Sequence, residues 1–230
     1  HRILTELLTK LPPVASIKQD FHYSITNWLP LYWHSFKQTT RYSYLLDVSN
    51  LQDLPSGFNR NIRRNLKKAS AEIKIEYWND PEQFYFVNKL SFDRQNIPIP
   101  YTLKQFLTHD AAMQVQKRRK IFFAIDQRSQ IHSASYVIWD NQTAYYHLAG
   151  DDPNYRQSGA GILLIWEAIQ FLHNTLGIKT LDFEGSMIKN VEAIRRQFGA
   201  SQTPYFSISK NFSKTFNFLE NIRNLKGLIV

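Results

Sequence analysis

Residues 121–149 carry the pattern that most restricts how this chain can fold. The runs "IFFAI" (121–125), "IHSASYVIW" (131–139) and "TAYYHLA" (143–149) are rich in β-branched and aromatic residues, with "DQRSQ" and "DN" as turn signals between them. Connections this short leave no room for a crossover, so the three strands must run antiparallel. A meander is therefore fixed near the middle of the chain. The apolar run that follows, "ILLIWEAIQFL", reads as a helix from about 159 to 175 closed by Gly177.

Helices and strands alternate on both sides of this meander. Upstream, "FNRNIRRNLKKAS" (58–70) reads as a basic helix and "EIKIEYW" (72–78) as a strand. "PEQFYFVNKLSF" (81–92), with Pro81 in its first turn, and "TLKQFLTHDAAMQVQKR" (102–118) read as two further helices separated by "NIPIP". Downstream come a strand at "TLDFEG" (180–185), a helix at "KNVEAIRRQFG" (189–199) and a strand at "PYFSIS" (204–209). Nearer the start, "ILTELLTKL" reads as a helix, and "VASIKQDFHY" (14–23) and "TTRYSYLLDV" (39–48) as strands around the connection "NWLPLYW".

Composition narrows the chemistry. A chain of 230 residues can bury one large core or two small ones, and with no cysteine it has neither disulfides nor a thiolate nucleophile. Its seven histidines never fall in HExxH or H-x-H spacing, so no metal is expected. No apolar run approaches the roughly 20 residues that a membrane span needs, and the expected location is the cytoplasm. Lys and Arg exceed Asp and Glu by 28 to 19, giving +9, which favours an anionic partner.

The turn between the third meander strand and its helix reads "NYRQSGAG" (154–161). A helix start offers free N–H groups and the positive end of a dipole, and glycines let that backbone approach a phosphate closely. In this order of elements, Arg156, Gly159 and Gly161 fit the pattern Q/R-x-x-G-x-G/A. The chain thereby resembles the GNAT acyltransferases. Together with "LDFEGSMIKNVEAIRRQFGA", "QTTRYSYLLD" and "RRNLKKA", it resembles the Fem-like (peptidoglycan aminoacyltransferase-related) branch over about residues 38–210.

That resemblance implies an α/β (α+β) fold, a GNAT-type mixed, mostly antiparallel sheet flanked by helices, preceded by a partial second GNAT-like lobe. The expected organisation is 1–56 as the trailing part of an incomplete first lobe, 57–210 as the acyltransferase domain and 211–230 as a helical tail. The chain opens on His1 inside a helix-like run, and the missing front of the first lobe leads us to expect a homodimer or interface through residues 1–50. The strands at 143–149 and 180–185 should lie side by side and splay at one end. The implied activity is transfer of an acyl group from acyl-CoA to an amine. The alternatives are a Fem-like enzyme using aminoacyl-tRNA on a peptidoglycan precursor and a non-catalytic binding module of the same fold.

By the same resemblance, Arg156, Ser158, Gly159, Ala160 and Gly161 would hold donor phosphates, and Asn190 would present a polar side chain to the donor. Many GNAT enzymes place a proton-donating Tyr four residues before the glycine that ends the next helix. Counting back from Gly199 gives Arg195, which cannot act as an ordinary general acid. Strand alternation sets Asp182 and Glu184 on one face of "TLDFEG", with Leu181 and Phe183 facing the helices. Tyr145 and His147 share a face of the neighbouring strand. Glu184 and His147 are the candidate bases, Asp182 a residue that positions them, and Tyr145 a substrate contact. On the basic helix, Arg63, Arg64 and Lys67 gather with Arg60 and Lys68 on one side, either a solvated face or a docking surface for an anionic acceptor or tRNA.

Overall fold

The computed structural model describes residues 1–185, 187 and 189–213, with the side chain of Asn190 outside that description. The expected tail at 211–230 therefore lies, from residue 214 onward, outside the described residues. Among the described residues two compact units are formed, 1–43 with 203–213, and Tyr44–Gln202.

The first unit holds α1 (Arg2–Thr9), β1 (Ser16–Asp20), α2 (Leu29–Trp33), the leading part of β2 (Lys37–Asp47) and most of β8 (Ser201–Asn211). β1 pairs antiparallel with β8, Ser16 opposite Asn211 and Asp20 opposite Ser207, and β2 flanks β8 on its other side. A small core of Leu31, Phe36 and Ile208 gathers Leu8, Ile17, Trp28 and Phe206 around it. The Trp-rich connection thus contains a helical turn that periodicity alone does not reveal. Pro30 sits in its first turn, where a fixed φ and a missing N–H cost nothing. α1 leaves Ile3 and Leu7 exposed.

The second unit contains the meander. Its strands lie in the order β2, β7 (Thr180–Asp182), β6 (Thr143–Asp151), β5 (Ile131–Trp139), β4 (Arg119–Ile125) and β3 (Lys74–Glu76). β3–β4, β4–β5, β5–β6 and β2–β7 are antiparallel, and β6–β7 is parallel. The mixed, mostly antiparallel sheet expected from the sequence is what the strands form. Helices α3 (Arg60–Glu72), α4 (Pro81–Asp93), α5 (Leu103–Val115), α6 (Ala160–Phe171) and α7 (Lys189–Gln197) flank it.

Each helix begins where local chemistry allows it. Asn59 caps α3 by accepting from the Asn61 amide, Asp80 caps α4 by accepting from that of Gln83, and Thr102 and Gln105 form a reciprocal capping box on α5. Caps of this kind contribute about 1 kcal/mol each. α6 is apolar nearly all round, burying Leu163, Leu164, Ile165, Ala168 and Ile169, because it packs on β4 and β5 with α3 against its other side. It runs on through one wider turn, Leu172–Leu176, to the left-handed Gly177.

On the opposite face of the sheet, α4 and α5 enclose a core of Phe84, Phe106, Ile121, Phe123 and Tyr136. α4 lies directly on β6 at Gly150. A Cβ there would fall 2.4 Å from both the Asn88 Cα and the Val87 carbonyl oxygen. Both obstacles are backbone, so relief requires α4 to move. Gly150→Ala is expected to lower stability by about 1–3 kcal/mol, read as a fall in the urea midpoint with an unchanged slope.

Candidate active site

The expected side-by-side strands meet for only three residue pairs. Thr143 lies opposite Thr180, Ala144 opposite Leu181 and Tyr145 opposite Asp182, and there the backbone pairing ends. β6 continues to Asp151, whereas β7 stops at Asp182 instead of running to 185. The cause is local. The buried Asp182 carboxylate accepts the Glu184 amide at 2.7 Å, and Glu184 and Gly185 take left-handed backbone (φ +53° and +60°). An Asp side chain that captures an amide two residues on competes with the ladder.

Side chains carry the same register onward after the backbone lets go. Counted past Tyr145–Asp182, Tyr146 comes opposite Phe183, and their rings lie 6.2 Å apart. His147 comes opposite Glu184, and its Nδ1 lies 2.8 and 2.9 Å from the two carboxylate oxygens. The expectation that alternation along a continuous strand sets the face of Glu184 is thus corrected. A turn, rather than a strand, brings it to His147.

A bulge in β6 adds to this. Tyr136 pairs with Leu148 and Val137 with Tyr146, so His147 has no residue opposite it in β5. His147 turns to the α5 side, where its ring lies 5.4 Å from His109 and 6.3 Å from Tyr136. Behind them, Asp110 accepts the Tyr136 hydroxyl at 3.0 Å and pairs with Arg119 at 2.9 Å. Both members of that ion pair are over nine-tenths buried, and together they fix α5 to β4 and β5. Burial, then the Asp110 carboxylate, pushes the Tyr136 phenol well above its usual range.

On the other face of β6 a cavity of about 460 Å³ opens. Ser133, Tyr146, Ala149 and Asp151 form its floor, and Arg156, Gln157, Gly159 and Gly161 its rim. Ile162, Ile165, Asn65, Ile194 and Arg195 close it from α6, α3 and α7. The rim is built on Gly159, the left-handed residue (φ +81°) that starts α6. A Cβ on Gly159 would sit 3.1 Å from the Asn65 carbonyl oxygen, and one on Gly161 would sit 3.1 Å from Asp151 Oδ1. The first glycine therefore admits α3, and only the second faces the cavity floor.

The remaining predicted residues divide clearly. Ser158 Oγ accepts the Ala160 amide at 3.2 Å, and Ala160 is buried. Arg63, Arg64 and Lys67 point outward from α3 and do not line the cavity, while the adjacent Lys68 ties α3 to the rim by donating to the Gln157 carbonyl at 2.9 Å. Tyr145 donates to Asp140 Oδ2 at 2.9 Å in a separate groove with Met113 and Arg118. The Asn190 side chain lies outside the described residues.

Sequence reading missed Tyr146, Asn65, Ser133, Asp151 and His109. Only Tyr146 had a local signal, being the residue between the two singled out on β6. His109 depends on α5 docking over β6, which no short-range pattern encodes.

A profile of the acetyltransferase (GNAT) domain matches residues 56–192, more than half of the chain. No curated protein matches the sequence. Among solved structures, FemX superposes with a TM-score of 0.72 at 11% identity, covering 89% of this chain and 75% of its own. A tandem GNAT protein from the clavulanic acid biosynthesis pathway gives 0.59 at 11%, covering 90% and 67%. L-PGS from Bacillus licheniformis gives 0.55 at 11%, covering 85% and 68%. At these identities the likeness is one of fold.

Among the described residues no group of His, Asp and Glu could hold a metal ion, and no helix is long and apolar enough to cross a membrane. Burial and the neighbouring His147 hold the His109 imidazole below its ordinary value of 6.5. The native state therefore binds fewer protons than the unfolded chain, and the stability this neutral ring contributes is full above 6.5 and lost as pH falls. Folding free energy measured by urea titration should decline on acidification below about 6.5, and His109→Phe should flatten that decline.

Proposed function

The chain belongs to the acetyltransferase (GNAT) domain family, and we propose on that premise that it transfers an acyl group from acyl-CoA to an amine. One observation carries the reading: the His147–Glu184 pair stands where β6 and β7 part, with the cavity on the opposite face of β6 at the very next residue, Tyr146. A donor lying in the cavity would present its thioester at that parting, within reach of an amine arriving from the His147 side.

The cavity suits such a donor in parts. Arg156 and the start of α6 offer a cation and backbone amides to a pyrophosphate, and Ile162, Ile165 and Ile194 offer an apolar wall to the arm that follows. Ser158, Gly159, Ala160 and Gly161 shape the rim. Asn190 would add a polar contact from α7. Across the sheet, Glu184 holds the Nδ1 side of His147, leaving Nε2 to take the proton released when an amine attacks. Asp182 acts one step back, fixing the turn that presents Glu184.

A second reading has its own observation. Arg63, Arg64 and Lys67 form an exposed cationic stripe beside Lys68, which touches the rim. In this reading the donor is an aminoacyl-tRNA, its phosphates resting on that stripe, and the acceptor a peptidoglycan precursor, with Tyr145 as a contact near the hairpin. Calorimetry with CoA against filter binding with tRNA separates the two. The acyl-CoA reading expects CoA to bind and Arg156→Ala to weaken it, with a loss that shrinks at high salt. If neither ligand binds, the fold serves as a binding module for something else.

The chemical part is tested by Glu184→Gln, which keeps the shape and removes the charge. Turnover of any transfer reaction found with an amine panel should fall by roughly 10²–10⁴, with donor affinity nearly unchanged. An acidic limb of the pH–rate profile that persists unaltered in this variant would exclude the pair as the base.

A further inference from the structure

Arg195 brings a half-buried cationic side chain to the cavity. Its Nε is buried without a hydrogen-bond partner, and no ion pair with it occurs among the described residues. What surrounds it is aromatic. The guanidinium carbon lies 5.4 Å from the Phe183 ring centroid, and the Tyr146 phenol acts on it electrostatically. Burial accordingly draws its pKa below the ordinary guanidinium range, with Tyr146 opposing, yet a guanidinium remains charged at any working pH. The other charged groups of the cavity are engaged or distant from this end. Asp151 accepts the Ser133 hydroxyl at 2.7 Å, and Arg156 sits on the rim.

A half-buried guanidinium with no counter-ion among the described residues costs free energy that an anionic ligand beside it would offset. Its position is not left to chance. α7 is anchored by Tyr44, whose hydroxyl donates to Glu192 at 2.8 Å and accepts from Gln202 at 2.7 Å, and by the Asn59 amide donating to the Gln197 carbonyl at 2.8 Å. These bonds hold the helix so that Arg195 faces inward with Ile194.

Tyr146, which lines the cavity with Arg195, and Phe183, whose ring lies under it, are the residues immediately before His147 and Glu184. The guanidinium thus lies on the cavity side, beside the residues that precede the proton-accepting pair. We propose that Arg195 is a catalytic residue that stabilises the anionic leaving group, the thiolate of CoA, as it departs. The assignment rests on the acyl-CoA reading of the cavity and deepens it.

The step balances without a general acid. The amine nitrogen attacks the thioester carbonyl carbon and forms the C–N bond, and its proton passes to His147. The C–S bond then breaks, sulfur leaves with the electron pair as a thiolate, and the fixed guanidinium offsets the charge where it develops. An arginine at this position is then no defect. It replaces protonation of the leaving group by electrostatic stabilisation of its anion.

A readout independent of turnover follows, because a group that stabilises the thiolate in the reaction must also favour it in the bound product. The probe is CoA itself, titrated on the full chain by the ultraviolet absorbance of its thiolate, with affinity measured by calorimetry. At a given pH, bound CoA should show a thiolate-to-thiol ratio about tenfold or more above that of free CoA. Arg195→Met, checked for folding by its circular dichroism melt, should bind CoA with the enrichment abolished, and Arg195→Lys should retain part of it. Bound CoA that titrates like free CoA in the wild type overturns the assignment whether or not the variants fold. Equal enrichment in wild type and Arg195→Met also overturns it, pointing to another cation. Failure of the wild type to bind CoA at all removes the acyl-CoA reading and this assignment together, whereas binding without enrichment removes the assignment alone.

Discussion

The short parallel pairing of β6 with β7 is the constraint on which the candidate site depends. Three residue pairs are enough to fix the register of the two strands, and too few to close the sheet between them. Had β7 continued to residue 185, backbone hydrogen bonds would fill the parting, and Tyr146 and Phe183 would be ordinary inward-facing residues. Instead the Asp182 carboxylate takes the Glu184 amide, the backbone turns left-handed, and the register survives only through side chains. A positive φ at a residue with a Cβ is disfavoured, and here it coincides with the carboxylate that meets His147.

Two supports keep the opened strands in place. On one face, the buried Asp110–Arg119 pair with Tyr136 ties α5 to the meander and sets His109 beside His147. Breaking such a pair leaves an uncompensated charge in the core, so its geometry is held firmly once formed. On the other face, α6 starts at Gly159 hard against α3, and Lys68 bridges the two. The basic helix thus takes part in shaping the rim with one residue while leaving Arg63, Arg64 and Lys67 outward. A stripe that looks uniform along the helix has different surroundings at each position.

The two faces of the sheet at this parting have different characters. The cavity face combines isoleucines with a phenol, a guanidinium and the start of a helix. The α5 face places an imidazole, held by a carboxylate, beside a second imidazole whose pKa burial lowers. A strand that passes between them, with one bulge, shows Tyr146 to one side and His147 to the other.

The sequence by itself determined most of the elements and their order, because those rest on short-range physics. Alternating runs joined by short turns must form a meander, Pro81 marks a helix start, and "RQSGAG" marks a strand handing over to a helix. It also brought out Glu184, His147 and Arg195 by their chemistry and place along the chain. The tertiary structure alone decided how those residues meet. Glu184 reaches His147 because a side chain captured a backbone amide and ended a strand early, which alternation cannot anticipate. His109 joins them because a buried ion pair docks α5 across the sheet, and Arg195 turns inward because Tyr44, far earlier in the chain, holds α7. Each of these depends on groups distant in sequence finding one another in a low-dielectric interior, where an unmet charge or donor is costly enough to dictate the arrangement.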